Sequence, residues 1–208
     1  MSVEPSSTIP IVDNKLPRNI VPRIIGITGK KQHGKDTIGN YFVLNHGYQR
    51  IAFADALKYM LAIGFGFSKD QLHGHLKEES DPFWKVSPRE VMQFVGTELF
   101  RENMSKLIPH VENDFWVWIL KKKILSNPET KFVVTDIRFQ NEMELIQELG
   151  GTTFCVSRPT SSEHLNSSLH SSETQIDTLS KKVNHLFLND GSLEDLYEKV
   201  ENYIASLQ

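Results

Sequence analysis

A glycine-rich stretch at residues 29–35, Gly-Lys-Lys-Gln-His-Gly-Lys, has the residue types and the spacing needed to hold phosphate. Gly29, Gly34 and Lys35 fit the pattern G-x-x-x-x-G-K, in which glycines let successive backbone N–H groups turn inward around an anion. A helix that begins at Lys35 adds the positive end of its dipole, and the lysine adds a full charge. The simpler alternative is a tight strand-to-helix turn with solvated lysines.

The residue after this lysine departs from the most common pattern. A serine or threonine at that position usually ligates Mg²⁺, but Asp36 stands there and the hydroxyl is on Thr37. A threonine two residues after the lysine is similar to the spacing in nucleoside monophosphate kinases of the G-K-G-T type. The spacing therefore favours a small phosphotransferase over a GTPase, and it leaves open whether Asp36 and Thr37 hold a metal directly or through water.

A carboxylate follows another apolar run, at residues 131–135. In a parallel sheet, ligands bind beyond the carboxyl ends of the strands, so Asp136 is a candidate ligand for Mg²⁺. The alternative is that Asp136 and Arg138 form a local ion pair or a turn. Arg138 is also placed to reach a phosphate from the same edge of the sheet.

Further arginines support a phosphate-transfer site only when they are taken together. Each one alone is equally well explained by the surface or by an ion pair. Two phosphate anions about 4 Å apart repel each other by about 4 kcal/mol per unit charge pair at an effective dielectric constant of about 20, and one lysine cannot neutralise this. The candidate cations are Arg89, Arg101, Arg138 and Arg158.

Three other residues have two readings each. His170 and Glu173 belong either to a helix N-terminus, with a carboxylate in its first turn, or to a lid that touches substrate. Trp116 is either a core residue or a platform on which a base stacks.

Strands and helices alternate along the chain. A capping box is expected at Ser87 and Glu90, with Val91, Val95 and Leu99 facing the core, and Gly47 is expected to end the first helix. Alternation predicts a three-layer α/β/α fold with a parallel sheet. The predicted strands cover residues 23–28, 51–53, 131–135, 152–157 and 183–188, and the helices cover residues 35–46, 56–61, 87–101, 115–125, 142–149 and 192–204.

Composition limits the classes of function. The chain has 208 residues and a formal net charge of -3, which argues against a broad basic face for duplex nucleic acid. The single cysteine, Cys155, excludes an intrachain disulfide and fits a reducing compartment. No apolar run approaches the roughly 20 residues of a membrane span, and residues 1–20 lack a secretory signal. We expect a cytoplasmic protein with a flexible arm at residues 1–20 and one domain at residues 21–208.

Five stretches together resemble one family. They are GITGKKQHGKDT at residues 26–37, FADALK at 53–58, SPREVMQFVGTELFR at 87–101, VVTDIRFQNEMELI at 133–146 and HSSETQID at 170–177. In this order they are similar to the deoxynucleoside monophosphate kinases of large DNA viruses and tailed phages. The resemblance covers residues 24–191.

The resemblance implies a P-loop kinase fold with a nucleotide-monophosphate region at about residues 54–112 and a lid at about residues 158–174. It also implies that ATP, Mg²⁺ and a deoxynucleoside monophosphate are used, with in-line transfer between them. In a host cell infected by a virus, the location would be the host cytoplasm.

The same resemblance assigns roles to individual residues. The catalytic group is Lys35, Arg101, Asp136, Arg138 and Arg158. The ATP phosphates would contact Gly29, Lys30, Gln32, His33, Gly34, Lys35, Asp36 and Thr37, with Asp36, Thr37 and Asp136 as metal ligands. The acceptor site would contain Asp55, Lys58, Arg89, Thr97, Arg101 and Trp116, and the lid would add His170 and Glu173.

Two alternative functions remain open from the sequence alone. One is a kinase of a different small molecule, resembling phosphomevalonate kinase or dephospho-coenzyme A kinase. The other is a regulatory module that binds ATP without transferring phosphate. A homodimer formed through the weakly amphipathic helix at residues 114–125 is also possible.

Overall fold

Five parallel strands form one sheet in the computed structural model, which describes residues 21–159 and 171–207. The strands lie in the order β2-β3-β1-β4-β5, so that the first strand is in the middle. Parallel neighbours cannot be joined by tight turns, and helices make the crossovers. The strands are β1 (Ile24–Thr28), β2 (Gln49–Ile51), β3 (Phe132–Val134), β4 (Thr152–Ser157) and β5 (His185–Leu188).

The described residues contain eight α-helices and a π-helix. The α-helices are α1 (Lys35–His46), α2 (Ala54–Phe65), α3 (Lys69–His73), α4 (Pro88–Gln93), α5 (Phe115–Leu125), α6 (Gln140–Glu148), α7 (Ser171–Leu179) and α8 (Leu193–Ser206). The π-helix, Phe94–Glu102, continues directly from α4. Short 3₁₀ turns cover His75–Glu78, Met104–Lys106 and Pro109–Val111.

Apolar side chains cover both faces of the sheet. Within β1, Ile24 points into one core and Ile25 into the other, as the two-residue period of a strand requires. The first core contains residues of α5, α6 and α7, and the second contains residues of α1 and α8. The predicted three-layer α/β/α fold with a parallel sheet is therefore confirmed.

A third apolar cluster lies among the helices between β2 and β3. Leu57 and Leu61 of α2 pack with Val91 and Met92 of α4 and with Trp116 of α5. This cluster gives the helical segment a core of its own beside the sheet. The segment coincides with the predicted nucleotide-monophosphate region at about residues 54–112, although that functional role remains a prediction.

Several helix boundaries follow the local signals in the sequence. Ser87 and Glu90 form the predicted capping box at the start of α4, and Ser192 and Asp195 form another at the start of α8. Gly47 ends α1 with φ 70°, a left-handed conformation that glycine adopts without steric cost.

Two local predictions are wrong for physical reasons that involve other parts of the chain. The second strand covers Gln49–Ile51 and not residues 51–53, because the N–H groups of Phe53 and Ala54 bond to Asp136 and turn the chain into α2. Leu99 is 43% exposed and does not face the core. The wider turn of the π-helix shifts the buried position to Gly96.

Some expectations lie outside the described residues. These are the arm at residues 1–20 and residues 160–170 of the predicted lid. No described helix has both the length and the apolar character needed to cross a membrane. The side chains of Trp118 and Ile119 on α5 are 43% and 37% exposed, and pairing of two chains through this helix stays a prediction.

Gly39 lets α1 approach the sheet closely, and we expect Gly39→Ala to destabilise the fold. A Cβ at this position would lie 2.4 Å from Cγ2 of Thr135, a buried side chain whose hydroxyl accepts a hydrogen bond from Arg50. Relieving that overlap has a cost of about 1–3 kcal/mol in the free energy of unfolding, measurable by chemical denaturation.

Gly64, in α2, supplies a matched control. A Cβ there would meet nothing within 4 Å. Gly64→Ala should therefore be neutral, or stabilising by up to about 1 kcal/mol, because alanine favours the helix. Equal stability of the Gly39→Ala variant and the parent chain would contradict the close packing of α1.

Candidate functional site

The glycine-rich loop runs from the carboxyl end of β1 to the start of α1. Gly29 and Gly34 have φ angles of 142° and 107°, and Gln32 also adopts a positive φ of 65°. A Cβ on Gly29 would lie 2.4 Å from the Val156 carbonyl oxygen, so a side chain at this position would collide with β4. The loop thus has the glycine-dependent shape expected of a phosphate cradle. The positive φ of Gln32 was not predicted, since glutamine carries no signal for it.

Lys35 folds back over this loop. Its ammonium group donates a hydrogen bond of 2.7 Å to the carbonyl oxygen of Lys30. Burial lowers the pKa of Lys35, and the positive charge of Arg138 acts in the same direction. The side chain of Lys30 itself pairs with Asp177 of α7 at 3.0 Å. The Lys35 ammonium group is therefore held at the loop in a half-buried position.

Asn189, at the end of β5, supports the loop from the side, and sequence reasoning missed it. Its amide nitrogen donates to the carbonyl oxygen of His33 at 2.9 Å, and its side chain is only 6% exposed. The backbone N–H of Arg158 donates to Nδ1 of His33 at 3.1 Å, and Arg158 Nε lies 3.4 Å from the Asn189 carbonyl oxygen. In the sequence, the one feature that points to Asn189 is its position at the carboxyl end of a predicted strand.

A shallow depression adjoins this contact. It is lined by Arg158, Pro159, Asn189, Asp190 and Gly191. The structure thus brings the predicted residue Arg158 beside the loop.

Asp36 and Thr37 occupy the first turn of α1. The carboxylate of Asp36 pairs with Arg50 at 2.6 Å, and Arg50 also donates to the hydroxyl of Thr135 at 3.0 Å. Thr37 is half-buried. Among the described residues, no three His, Cys, Asp or Glu side chains cluster closely enough to hold a metal by themselves. Metal binding by Asp36, Thr37 and Asp136 stays a prediction.

Asp136 connects the sheet to the helical segment. Its two carboxylate oxygens accept hydrogen bonds from the N–H groups of Phe53 at 2.9 Å and Ala54 at 3.1 Å. Burial raises the pKa of Asp136, whereas these two donors and the charge of Arg138 oppose the rise. Asp136 therefore fixes the start of α2 beside the glycine-rich loop.

Arg101, on the π-helix, meets the connection between β3 and α6. Its guanidinium lies 4.1 Å above the centre of the Phe139 ring, and one of its nitrogens is 3.3 Å from a carboxylate oxygen of Glu142. The same carboxylate accepts hydrogen bonds from the N–H groups of Arg138 and Phe139. The structure thus brings the predicted residues Arg101 and Arg138 together, through a glutamate that sequence reasoning did not assign.

A group of cations lies on the helical segment. Lys58 contacts Nδ1 of His73 at 3.2 Å, and Arg89 pairs with Glu78. Burial lowers the pKa of Lys77 to about 8, and the positive charges of Lys58, Arg89 and Arg138 contribute. Burial likewise lowers the pKa of Lys58.

The predicted residues Lys58, Arg89 and Arg138 therefore share one electrostatic neighbourhood, to which Lys77 belongs as well. Lys77 was missed because a single lysine in a short polar turn has no distinguishing pattern. Asp55 has a local partner, since its carboxylate accepts the N–H of Ala52 at 2.8 Å.

The remaining candidates differ in their surroundings. Thr97 is exposed on the π-helix. Trp116 is only 5% exposed, and its indole N–H donates to the Gly96 carbonyl oxygen at 2.8 Å, so the structure supports its reading as a core residue and leaves no open ring face for stacking. His170 lies outside the described residues, as does the side chain of Glu173.

A central parallel strand, a glycine-rich loop closed by a half-buried lysine, and cations on a helical segment beside that loop define a P-loop kinase. The chain belongs to the deoxynucleotide monophosphate kinase family, whose model matches residues 71–200. That match includes Lys77 and Arg89 of the cationic group and the residues around Asp136, and it begins after the glycine-rich loop and after Lys58.

Individual relatives agree with this assignment. A protein of Acanthamoeba polyphaga mimivirus, provisionally named deoxynucleotide monophosphate kinase, is 30% identical over 185 residues, which are 85% of this chain and 93% of that protein. The deoxynucleoside-5'-monophosphate kinase of Escherichia phage T5 is 37% identical over 78 residues, which are 38% of this chain and 28% of the phage protein. The deoxynucleotide monophosphate kinase of Enterobacteria phage T4 is 27% identical over 127 residues, 60% of this chain and 47% of the T4 protein.

Solved structures are more distantly similar. A dephospho-CoA kinase from Campylobacter jejuni has a TM-score of 0.47 and 19% identity, covering 91% of this chain and 99% of that one. A shikimate kinase from Bacteroides thetaiotaomicron has a TM-score of 0.43 and 11% identity, covering 88% and 98%.

The lowered pKa of Lys77 gives a direct test of the cationic group. With a pKa of about 8, roughly half of the Lys77 amines are neutral at pH 8, whereas an ordinary lysine is less than about 1% neutral. We expect a brief pulse of an amine-acylating reagent to label Lys77 faster than Lys122 and Lys123, which are exposed on α5. Peptide mass spectrometry measures the three rates.

Inorganic phosphate should slow this labelling, because an anion among the cations favours the protonated amine. Sodium chloride at the same ionic strength serves as the control for screening. Labelling of Lys77 at the rate of the α5 lysines, or equal slowing by chloride, would contradict a cationic site that binds phosphate.

Proposed function

We propose that this chain transfers the terminal phosphoryl group of ATP to a deoxynucleoside monophosphate, which yields ADP and the deoxynucleoside diphosphate. The observation that carries the proposal concerns Arg138. Burial is the main cause of the lowered pKa values of Lys35 at the glycine-rich loop and of Lys58 and Lys77 on the helical segment, and the charge of Arg138 adds to the shift at all three. A cation that acts on both groups suits a position between a donor and an acceptor phosphate.

The first task of the site is to hold the triphosphate. In the proposed arrangement the loop from Gly29 to Gly34 surrounds the phosphates with backbone N–H groups, and Lys35 neutralises their outer charge. The depression beside Arg158 and Asn189 would take the adenine, with the Arg158 guanidinium along its edge. Support for this comes from the contacts of both residues with His33, inside the loop.

Mg²⁺ fits the residues that are present. This ion is usually bound by one or two carboxylates together with substrate phosphates and water, so a three-residue cluster is not required. Thr37, Asp36 and Asp136 would supply the protein ligands, directly or through water. When bound, Mg²⁺ neutralises charge on the phosphates.

The second task is to bring the acceptor phosphate into line. The acceptor is already a nucleophilic anion, so the protein chiefly positions it and neutralises repulsion. Lys58, Lys77 and Arg89 would bind it from the helical segment, Arg101 and Arg138 would bridge both phosphates, and Thr97 would contact the nucleoside. Helices and cations that enclose the phosphates also exclude water, which limits hydrolysis of ATP.

The partners that we propose are nucleotides. Gln93 at the end of α4 and Asn103 just after the π-helix are candidate contacts for the acceptor base. The viral origin of the relatives favours the host cytoplasm as the place of the reaction.

A coupled assay of ADP release tests the reaction itself. We expect magnesium-dependent ADP release with at least one of dAMP, dGMP, dCMP and dTMP, at rates at least about tenfold above those without an acceptor. Ribonucleoside monophosphates, dephospho-coenzyme A and phosphomevalonate are assayed in parallel. Release with one of the last two alone would identify a different small-molecule kinase, and ATP binding without release would identify a regulatory module.

Lys35→Ala should lower kcat about 10²–10³-fold, because a positioned charge on the transferred phosphate is lost. Lys31→Ala is the matched control, since Lys31 is an exposed lysine of the same loop and has no assigned role. The same assay measures both variants, and thermal unfolding checks that both are folded. Comparable loss in the two variants would contradict a specific role for Lys35.

A further inference from the structure

Glu142, on α6, is a buried carboxylate that no sequence pattern assigned to the site. Its side chain is 3% exposed. One carboxylate oxygen accepts hydrogen bonds from the N–H groups of Arg138 at 2.8 Å and Phe139 at 3.2 Å. The other oxygen lies 3.3 Å from Nη2 of Arg101. The carboxylate therefore joins two elements that are far apart in the sequence.

These contacts limit where Arg101 can go. Its side chain is 20% exposed, and its guanidinium is held from one side by the Phe139 ring and at one nitrogen by Glu142. A guanidinium has five N–H donors in one plane. Contacts at one nitrogen and at one face of the guanidinium therefore restrict the orientation of the donors that remain for an anion.

Such a carboxylate does not help the fold. Burial raises the pKa of Glu142 to about 7, and the negative charge of Asp136 acts in the same direction. The folded state therefore binds the proton more tightly than the unfolded chain. Because of this, the group makes the protein less stable as the pH rises from about 4.5 to about 7, and the loss is complete above that range. A role in the reaction explains a charge that folding disfavours.

We infer that Glu142 is a positioning residue, which acts through Arg101 and through the backbone of Arg138 to aim both arginines at the transferred phosphoryl group. This inference rests on the proposed function. Arg101 belongs to the π-helix and Arg138 to the connection after β3, so nothing local keeps them in register. The shared carboxylate supplies that register.

Glu142→Gln tests the inference, with Glu148→Gln as its matched control. Glu148 is on the same helix and pairs with Lys121 at 2.6 Å, but it is exposed. At pH 8 we expect Glu142→Gln to lower kcat about 10–100-fold, the size of effect that a small misplacement of catalytic groups produces. The KM for ATP should stay within about twofold, and the control should match the parent chain in both constants.

Thermal unfolding separates positioning from a structural role. At pH 8, removing a disfavoured charge should leave the unfolding temperature of Glu142→Gln equal to or above that of the parent chain. A purely structural role predicts that the unfolding temperature and kcat fall together. Glu142→Asp, which keeps the charge on a shorter side chain, should retain more activity than Glu142→Gln.

The pH profile gives a third readout. The groups that face Glu142 are Arg101 from the π-helix, Asp136 and Arg138 from the connection after β3, and Asp114 through Asn141. Between pH 8 and pH 6 the parent chain should lose activity as Glu142 gains a proton and releases Arg101. The ratio of parent to Glu142→Gln activity should therefore shrink toward pH 6, while the ratio to Glu148→Gln stays constant.

The results of these experiments distinguish failure of the inference about Glu142 from failure of the proposed function. An active parent chain with unchanged kcat in Glu142→Gln, or a pH-independent ratio, overturns the inference and leaves the proposed function intact. A parent chain that releases no ADP with any deoxynucleoside monophosphate overturns the proposed function, and the inference fails with it. If Glu142→Gln does not fold, a structural role is shown and the inference is overturned.

Discussion

The site depends on two buried carboxylates that hold helical elements against the edge of the sheet. Asp136 binds the N–H groups at the start of α2, and Glu142 binds the arginine of the π-helix. Burying a carboxylate is costly unless donors surround it. Backbone N–H groups offset part of that cost at both residues. Hydrogen bonds and an ion pair thus connect the helical segment to the edge of the sheet, in addition to apolar packing.

This attachment explains how the fold can concentrate positive charge. Lys58, Lys77, Arg89 and Arg138 would repel one another if nothing compensated them. Burial is the main cause of the lowered pKa of Lys77, and that repulsion adds to it. The chain as a whole carries a formal net charge of -3, so the cations are gathered locally against an acidic background. In a kinase site, the negative charge of the nucleotide phosphates offsets the positive charge of such cations. The cations in turn reduce the repulsion between the two phosphate groups.

The order of the five strands and of six of the described helices could be predicted from the sequence because local signals determine it, whereas α3 and α7 were not predicted. Gly47 ends α1, Ser87 caps α4, and the apolar run at residues 152–157 forms β4 as expected. Leu99 is exposed because the π-helix has a wider turn than an α-helix, and no residue pattern in the sequence predicts a π-helix there. The early end of β2 depends on Asp136, 83 positions away from Phe53.

The residues of the candidate site divide in the same way, into those that local sequence identifies and those that only the fold brings together. The loop lysine, Asp136 and the arginines have recognisable neighbours in the sequence. Glu142 lies in the stretch 133–146 that carries the resemblance, but its role, like those of Asn189 and Lys77, depends on contacts that folding creates. Gly39 shows how far such contacts reach. Since α1 rests on Thr135 with no room for one more methyl group, the helix that begins with Lys35 has no slack along the sheet. A larger side chain at position 39 would thus displace the helix that carries Lys35, and the displacement would reach the glycine-rich loop through packing alone.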